Sequence, residues 1–174
     1  MNFQISQLVE IISQTPATLK SLLGNLSDKW IYNSVDENIW TPFDVVGHLI
    51  HAYETDWIPR AEIILEQSEN PTFEPFDRFG HFEKSKDRTF ADLLEQFADL
   101  RQKNIEILKS WNLGDEQLNL KGIHPELGAV TLKQLLATWL VHDLTHIRQI
   151  VTVMAKQQTE NVGAWKEYLS ILKS

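Results

Sequence analysis

The sequence predicts an all-α fold, a four-helix bundle with a short further helix at its C-terminal end. Four long stretches repeat apolar side chains at three- and four-residue spacing, the period of an amphipathic helix. No stretch alternates apolar and polar residues clearly, as a half-buried strand would. The third observation is size. A chain of 174 residues that is 43% apolar fills one core and is short for two, so residues 1–174 are expected to form a single domain.

The first helix spans Phe3 to Leu23, with Ile5, Leu8, Ile12, Leu19 and Leu22 on one stripe, and Pro16 should bend or restart it. A polar stretch leads to "WTPFD", where Thr41 can cap, Pro42 suits the first helical position and Asp44 favours the first turn. Helix two should run from there to about Gln67, kinked but not ended by Pro59. Residues 68–88 hold two Pro, one Gly and four Phe without helical period, a structured excursion that could pack on the bundle or serve as a lid. Helix three opens at Thr89, with Asp92 in capping-box position, and runs to Trp111, ended by Asn112 and Gly114. An irregular connection containing "GIHPELG" follows. Thr131 and Gln134 then form another capping box, and helix four runs to about Gln157. The tail from Gly163 to Leu172 reads as a short amphipathic helix whose Trp165 and Leu169 pack on the outside or on a partner chain.

Charge and composition narrow the function. A net charge of -8 repels phosphate backbones and argues against a general nucleic-acid binder or a polybasic membrane contact. No run of about 18 apolar residues offers a spanning helix, and the first residues lack a basic cluster and a small-residue cleavage site, so a soluble cytoplasmic protein is expected. Zero Cys removes thiolate ligands and a cysteine nucleophile, so any transition metal must be held by His and carboxylate.

The chemically informative stretch is "HDLTH", residues 142–146. Residues four apart on a helix stand one above the other, so the rings of His142 and His146 can converge on one ion. Spacing alone is weak support, because 6 His scattered over 174 residues give about 0.2 such pairs by chance. Placement says more. Leu135, Trp139, His142, His146, Gln149 and Val153 follow one another at helical steps, which puts both rings on the core stripe. A third ligand is available in "VVGHLIHAYETDW", where His48 lies on the inward stripe and is the better candidate, and His51 sits about 60° around from it, intermediate between ligand and surface. Gly47 beside it would let a neighbouring helix approach, or simply serve close packing. On these residues alone, a bound metal and a hydrogen-bonded cluster of core histidines stand level. His81 and His124, in loop segments, read as solvated surface.

Two segments together are similar to the signatures of a known family. "WTPFDVVGHLIHA" and, about ninety residues later, "TWLVHDLTHIRQI" resemble the DinB/YfiT-like superfamily, whose first signature pairs Trp-[Ser/Thr]-Pro with His-Leu and whose second is His-x-x-x-His followed by Gln. The resemblance implies a four-helix bundle in up-down-down-up order that binds one divalent ion (nickel, zinc, iron or manganese) through His48, His142 and His146. It also implies a small-molecule substrate and a homodimer.

Three protein nitrogens leave coordination positions open, which is a catalytic rather than a closed structural pattern. Some members of the family resemble transferases and isomerases in which the metal activates a low-molecular-weight thiol such as bacillithiol or mycothiol. Thiol S-transfer is therefore the leading expectation, since a chain without Cys would receive its nucleophile as cosubstrate. The alternatives are a metal-dependent hydrolase, with Asp143 standing where His-Glu-x-x-His proteases carry their glutamate base, and a non-catalytic bundle stapled by its ion. Asp143 is shorter than Glu and is expected toward the flank of the stripe, orienting a ligand or solvating the helix. Gln149 is expected to contact a ligand or substrate, and Arg60 to meet a substrate anion or a surface partner.

Overall fold

The computed structural model describes residues 2–173. In chain order its elements are α1 (Ile5–Ile12), α2 (Thr15–Leu23), α3 (Asp28–Ile31), α4 (Pro42–Thr55), α5 (Trp57–Glu66), α6 (Gly80–Ser85), α7 (Phe90–Ser110), α8 (Asp115–Leu118), β1 (Lys121–His124), β2 (Gly128–Thr131), α9 (Leu132–Lys156) and α10 (Thr159–Val162). Four rods make the bundle: α1 with α2, α4 with α5, α7, and α9. Capping boxes start three of them. Thr41, Thr89 and Thr131 each accept the backbone N–H three residues on, from Asp44, Asp92 and Gln134, and the side chains of those residues bind back.

Pro59 breaks its rod where sterics require. The carbonyl four residues earlier belongs to Thr55, and α4 ends there, with Asp56 at φ -115° before α5 resumes. The first rod also parts, between Ile12 and Thr15, and Pro16 occupies the first turn of α2.

Side-chain partners fix the helix directions. Phe43 meets Phe90 and, further along both helices, Tyr53 meets Phe97 and Asn104, so α4 and α7 run parallel. His48 meets His146 while Tyr53 meets Trp139, so α9 runs against α4. Arg101 reaches Ile12 while Leu23 lies near Phe90, so the first rod runs against α7. The order is up-down-down-up, and the parallel neighbours α4 and α7 are joined by the long crossover that such packing needs. Leu8, Ile12, Leu49, Phe97 and Trp139 fill the core between the rods.

Two connections hold more structure than their sequence suggests. The stretch before α9 folds into an antiparallel hairpin, β1 with β2, whose register pairs Gly122 with Val130. Its four-residue strands are too short to show a period, and Gly128 turns the corner at φ 73°. Within residues 68–88, α6 forms and Thr72 bridges to Ile123, so the excursion is tied to the hairpin. A Cβ on Gly122 would lie 2.7 Å from Phe73 Cε1, so the glycine seats that ring.

The tail differs from expectation. Residues 163–168 and 170–172 form short 3₁₀ turns, and Trp165 and Tyr168 stand 72% and 83% exposed. Among the described residues, no helix is long and apolar enough to cross a membrane.

Candidate metal centre

The three histidines singled out by sequence meet at one point. His48 comes from α4, His142 and His146 from successive turns of α9, and antiparallel packing sets the two helices face to face there. His48 and His146 are buried and His142 is half-buried. The Nε2 atoms of His48 and His142 are 3.3 Å apart, and those of His142 and His146 are 3.1 Å apart. One donor atom from each ring lies within 4.8 Å of the others.

Hydrogen bonding alone leaves this cluster short of partners. Gln149 Oε1 accepts from His146 Nδ1 at 2.7 Å, so that ring carries its proton on Nδ1 and presents a lone pair at Nε2. No choice of neutral tautomers for the other two rings then makes both Nε2 contacts linear hydrogen bonds. The Nδ1 atoms of His48 and His142 are buried with no partner at all. Protonation does not relieve the strain. Burial, reinforced by His146, pushes His48 down to about 3, and burial with His146 and His48 pushes His142 down to about 2. His146 is also lowered, by burial.

A cation fits this donor set. An ion about 2.0–2.1 Å from each nitrogen, at angles of about 90–110°, sets neighbouring nitrogens about 2.9–3.4 Å apart. Both observed Nε2 separations, 3.1 and 3.3 Å, lie in that range. Three neutral imidazoles are also the charge state in which these rings ligate.

The cluster forms part of the wall of a cavity of about 830 Å³. Its other walls are aromatic: Trp40 packs 4.9 Å from His48, Trp57 lies 5.0 Å from His142, and Phe76 lies 5.6 Å from His48. Arg60 and Asp56 line the same space as a buried ion pair, Nε to Oδ1 2.5 Å, with Arg60 Nη2 donating to the Glu74 carbonyl at 3.2 Å. Arg60 is therefore neither a surface salt-bridge partner nor a free cation. Burial raises the Asp56 carboxyl, and Arg60 opposes that rise.

Asp143 is not where sequence spacing put it. It lies on the inward stripe with Trp139, His146 and Ile150, has 0% exposure, and faces away from the cavity. Its Oδ2 takes the Thr15 hydroxyl at 2.6 Å and Arg101 Nη2 at 2.7 Å, and its Oδ1 takes the Tyr53 hydroxyl at 2.6 Å. Trp139 Nε1 donates to the same Tyr53 oxygen at 2.6 Å, and Arg101 also reaches the Ile12 carbonyl. A carboxylate saturated in this way is no general base for the cavity. Its function is to bolt α9 to α4, α7 and the first rod.

Other expectations also change. His81 is buried, not solvated, because α6 carries it under Trp40 at 4.7 Å, with Nδ1 donating to the Arg78 carbonyl. His124 is half-buried on β1 and lines the cavity, its Nδ1 accepting from Glu126 and Leu127. His51 is buried beside Phe76, outside the triad. Gly47 admits α6 rather than α9, since a Cβ there would lie 2.6 Å from Ser85 Oγ. Sequence reading missed Tyr53 and Arg101. The available signal was Arg101 itself, a charge on the apolar stripe between Phe97, Ile105 and Leu108.

Comparison with known proteins agrees with this architecture. Residues 11–150 match the DinB superfamily, and the chain belongs to it. Among solved structures, the chain is similar to YfiT from Bacillus subtilis, described as a probable metal-dependent hydrolase with an unusual four-helix bundle topology. The TM-score is 0.75 at 23% identity, over 87% of this chain and 86% of that one. No curated protein matches the chain.

Proposed function

We propose that this DinB-superfamily chain is a metal-dependent hydrolase of small molecules, with one divalent ion held by His48, His142 and His146. The observation that carries the reading is the convergence of three Nε2 atoms, 3.1 and 3.3 Å apart, on the wall of an aromatic cavity. A divalent ion held by three neutral imidazoles would keep its full charge and would supply Lewis acidity beside the cavity. The chain's own residues do the rest. Gln149 fixes the tautomer and tilt of His146, and Trp40, Trp57 and Phe76 exclude bulk water from the reacting centre. The likeness to YfiT supports hydrolysis over other uses of such a site.

A second reading, transfer of a low-molecular-weight thiol to an electrophile, is favoured by one observation. Among the described residues that line the cavity the one carboxylate is Asp56, which is ion-paired to Arg60, and Asp143, beside His142, is saturated facing away from it. Attack by water would have no free carboxylate base there, whereas a thiol ionises more readily. The test is a panel of ester, amide and lactone substrates beside a panel of thiols with electrophiles, each run on metal-loaded and chelator-stripped protein. Metal-dependent cleavage without added thiol supports hydrolysis. Turnover only with a thiol replaces it with S-transfer, and turnover that is indifferent to metal overturns both.

A further inference from the structure

The cavity that holds the histidines has a charge and a rim the metal reading does not explain. The whole chain is acidic, 24 Asp and Glu against 16 Lys and Arg. The cavity reverses that balance, since its ionised lining is Asp56, Arg60 and Arg78. Asp56 and Arg60 neutralise one another at 2.5 Å. That leaves Arg78, which has no carboxylate partner among the described residues. Arg78 lines the same cavity as His48. It is itself exposed, so it stands at the cavity's mouth, where an unpaired cation in an otherwise acidic protein draws an anion.

The rim adds the second half of the argument. Phe79, one residue after Arg78, is 63% exposed, and Leu127, at the tip of the β1–β2 hairpin, is 74% exposed, yet both line the cavity. They come from the two segments that interrupt the bundle, and these segments are joined by the Thr72–Ile123 bridge. Phe79 is held by stacking on Phe82 at 6.3 Å. Large apolar side chains left in water at the mouth of a cavity are accounted for by a ligand that covers them.

We propose that the cavity takes a small organic anion with an aromatic or aliphatic body, its charged group on Arg78 and its body between Phe79 and Leu127. This deepens the proposed function and rests on it for the identity of the site as catalytic. The anion is therefore the part of the substrate that is held, while the bond that reacts lies toward the histidines.

Binding can be read apart from catalysis. Calorimetric titration of 2-naphthoate, its neutral counterpart 2-naphthamide, and acetate into chelator-stripped and metal-loaded protein separates charge from body. We expect 2-naphthoate to bind both forms at least about threefold tighter than either other probe, the ratio that one charge pair with an exposed arginine supplies. Arg78→Gln should erase the preference for naphthoate over naphthamide, and Phe79→Ser should weaken both naphthyl probes alike. Equal binding of acid and amide, a preference that survives Arg78→Gln, or no naphthoate binding would overturn the proposal. Metal content measured on the same samples reports on the metal site separately. A protein that binds naphthoate through Arg78 but never takes up metal would sink the proposed function and leave this inference standing.

Discussion

His142 and Asp143 are neighbours in sequence and point into opposite kinds of environment. Asp143 is enclosed by Thr15, Tyr53 and Arg101 from three other helices, with both oxygens occupied. His142, one residue earlier on α9, faces the cavity with an unpartnered Nδ1 and an Nε2 crowded by two other rings. Both sites concentrate polar groups in a bundle core, where an unsatisfied group costs about 1–3 kcal/mol. The difference lies in what completes each set. Both oxygens of the Asp143 carboxylate are completed by the protein and hold the architecture, whereas the converging Nε2 atoms on the His142 side are left to be completed by something that binds.

The sharpest break in this comparison comes from the saturated side. Asp143→Ala strands the Arg101 guanidinium in the core, and removing one partner of a buried pair costs about 3–5 kcal/mol. Urea unfolding should show that loss, and a loss below about 1 kcal/mol would mean that the network is not what holds α9.

Acid should act on the histidine side. His48 and His142 are lowered to about 3 and about 2 from 6.5, so between those values and 6.5 the unfolded chain binds protons that the folded chain does not. Stability of the metal-free protein is then fully present above pH about 6.5 and falls as pH drops below it, continuing down toward the folded values. A flat melting temperature between pH 7 and 5 would contradict the neutral, desolvated rings.

Smaller effects sharpen the picture. Gly122→Ala drives a methyl group into Phe73 and Ile64 and should cost about 1–3 kcal/mol by overpacking, measured by thermal melting. It should also loosen Arg60, whose guanidinium lies 5.1 Å from the Phe73 ring centre. The exposed Trp165 and Tyr168 are where we place a homodimer contact. Sedimentation at high concentration should show a dimer that Trp165→Ser weakens, and a monomer throughout would remove the proposal.

Much of this was legible in the sequence because it is local. The capping boxes at Thr41, Thr89 and Thr131, the place of the Pro59 interruption (a kink was expected, and α4 ends at Thr55), and the co-facial His142 and His146 are set by spacings of three or four residues. What stayed hidden depends on partners distant along the chain. Asp143 could be placed only once Arg101 and Tyr53 were known to face it, and a heptad-like stripe does not say which of two adjacent residues is turned inward. The hairpin escaped for a similar reason, since its four-residue strands are stabilised by pairing and by Phe73 from another segment. His81 was misplaced because α6 is a short helix within a Pro- and Phe-rich stretch, and only its docking on Trp40 buries the ring.

The central claim is that the histidine side of α9 is completed by one ion. Elemental analysis of untagged protein, after exposure to nickel, zinc, iron and manganese and removal of excess, tests it most directly when His146→Ala is carried alongside. That variant leaves the Asp143 network intact and should change metal-free stability by only about 1 kcal/mol, so its fold can be verified independently. The account expects one ion per wild-type chain and almost none in folded His146→Ala. Stoichiometric metal in that variant, or a wild type that retains none of the four ions, would contradict it.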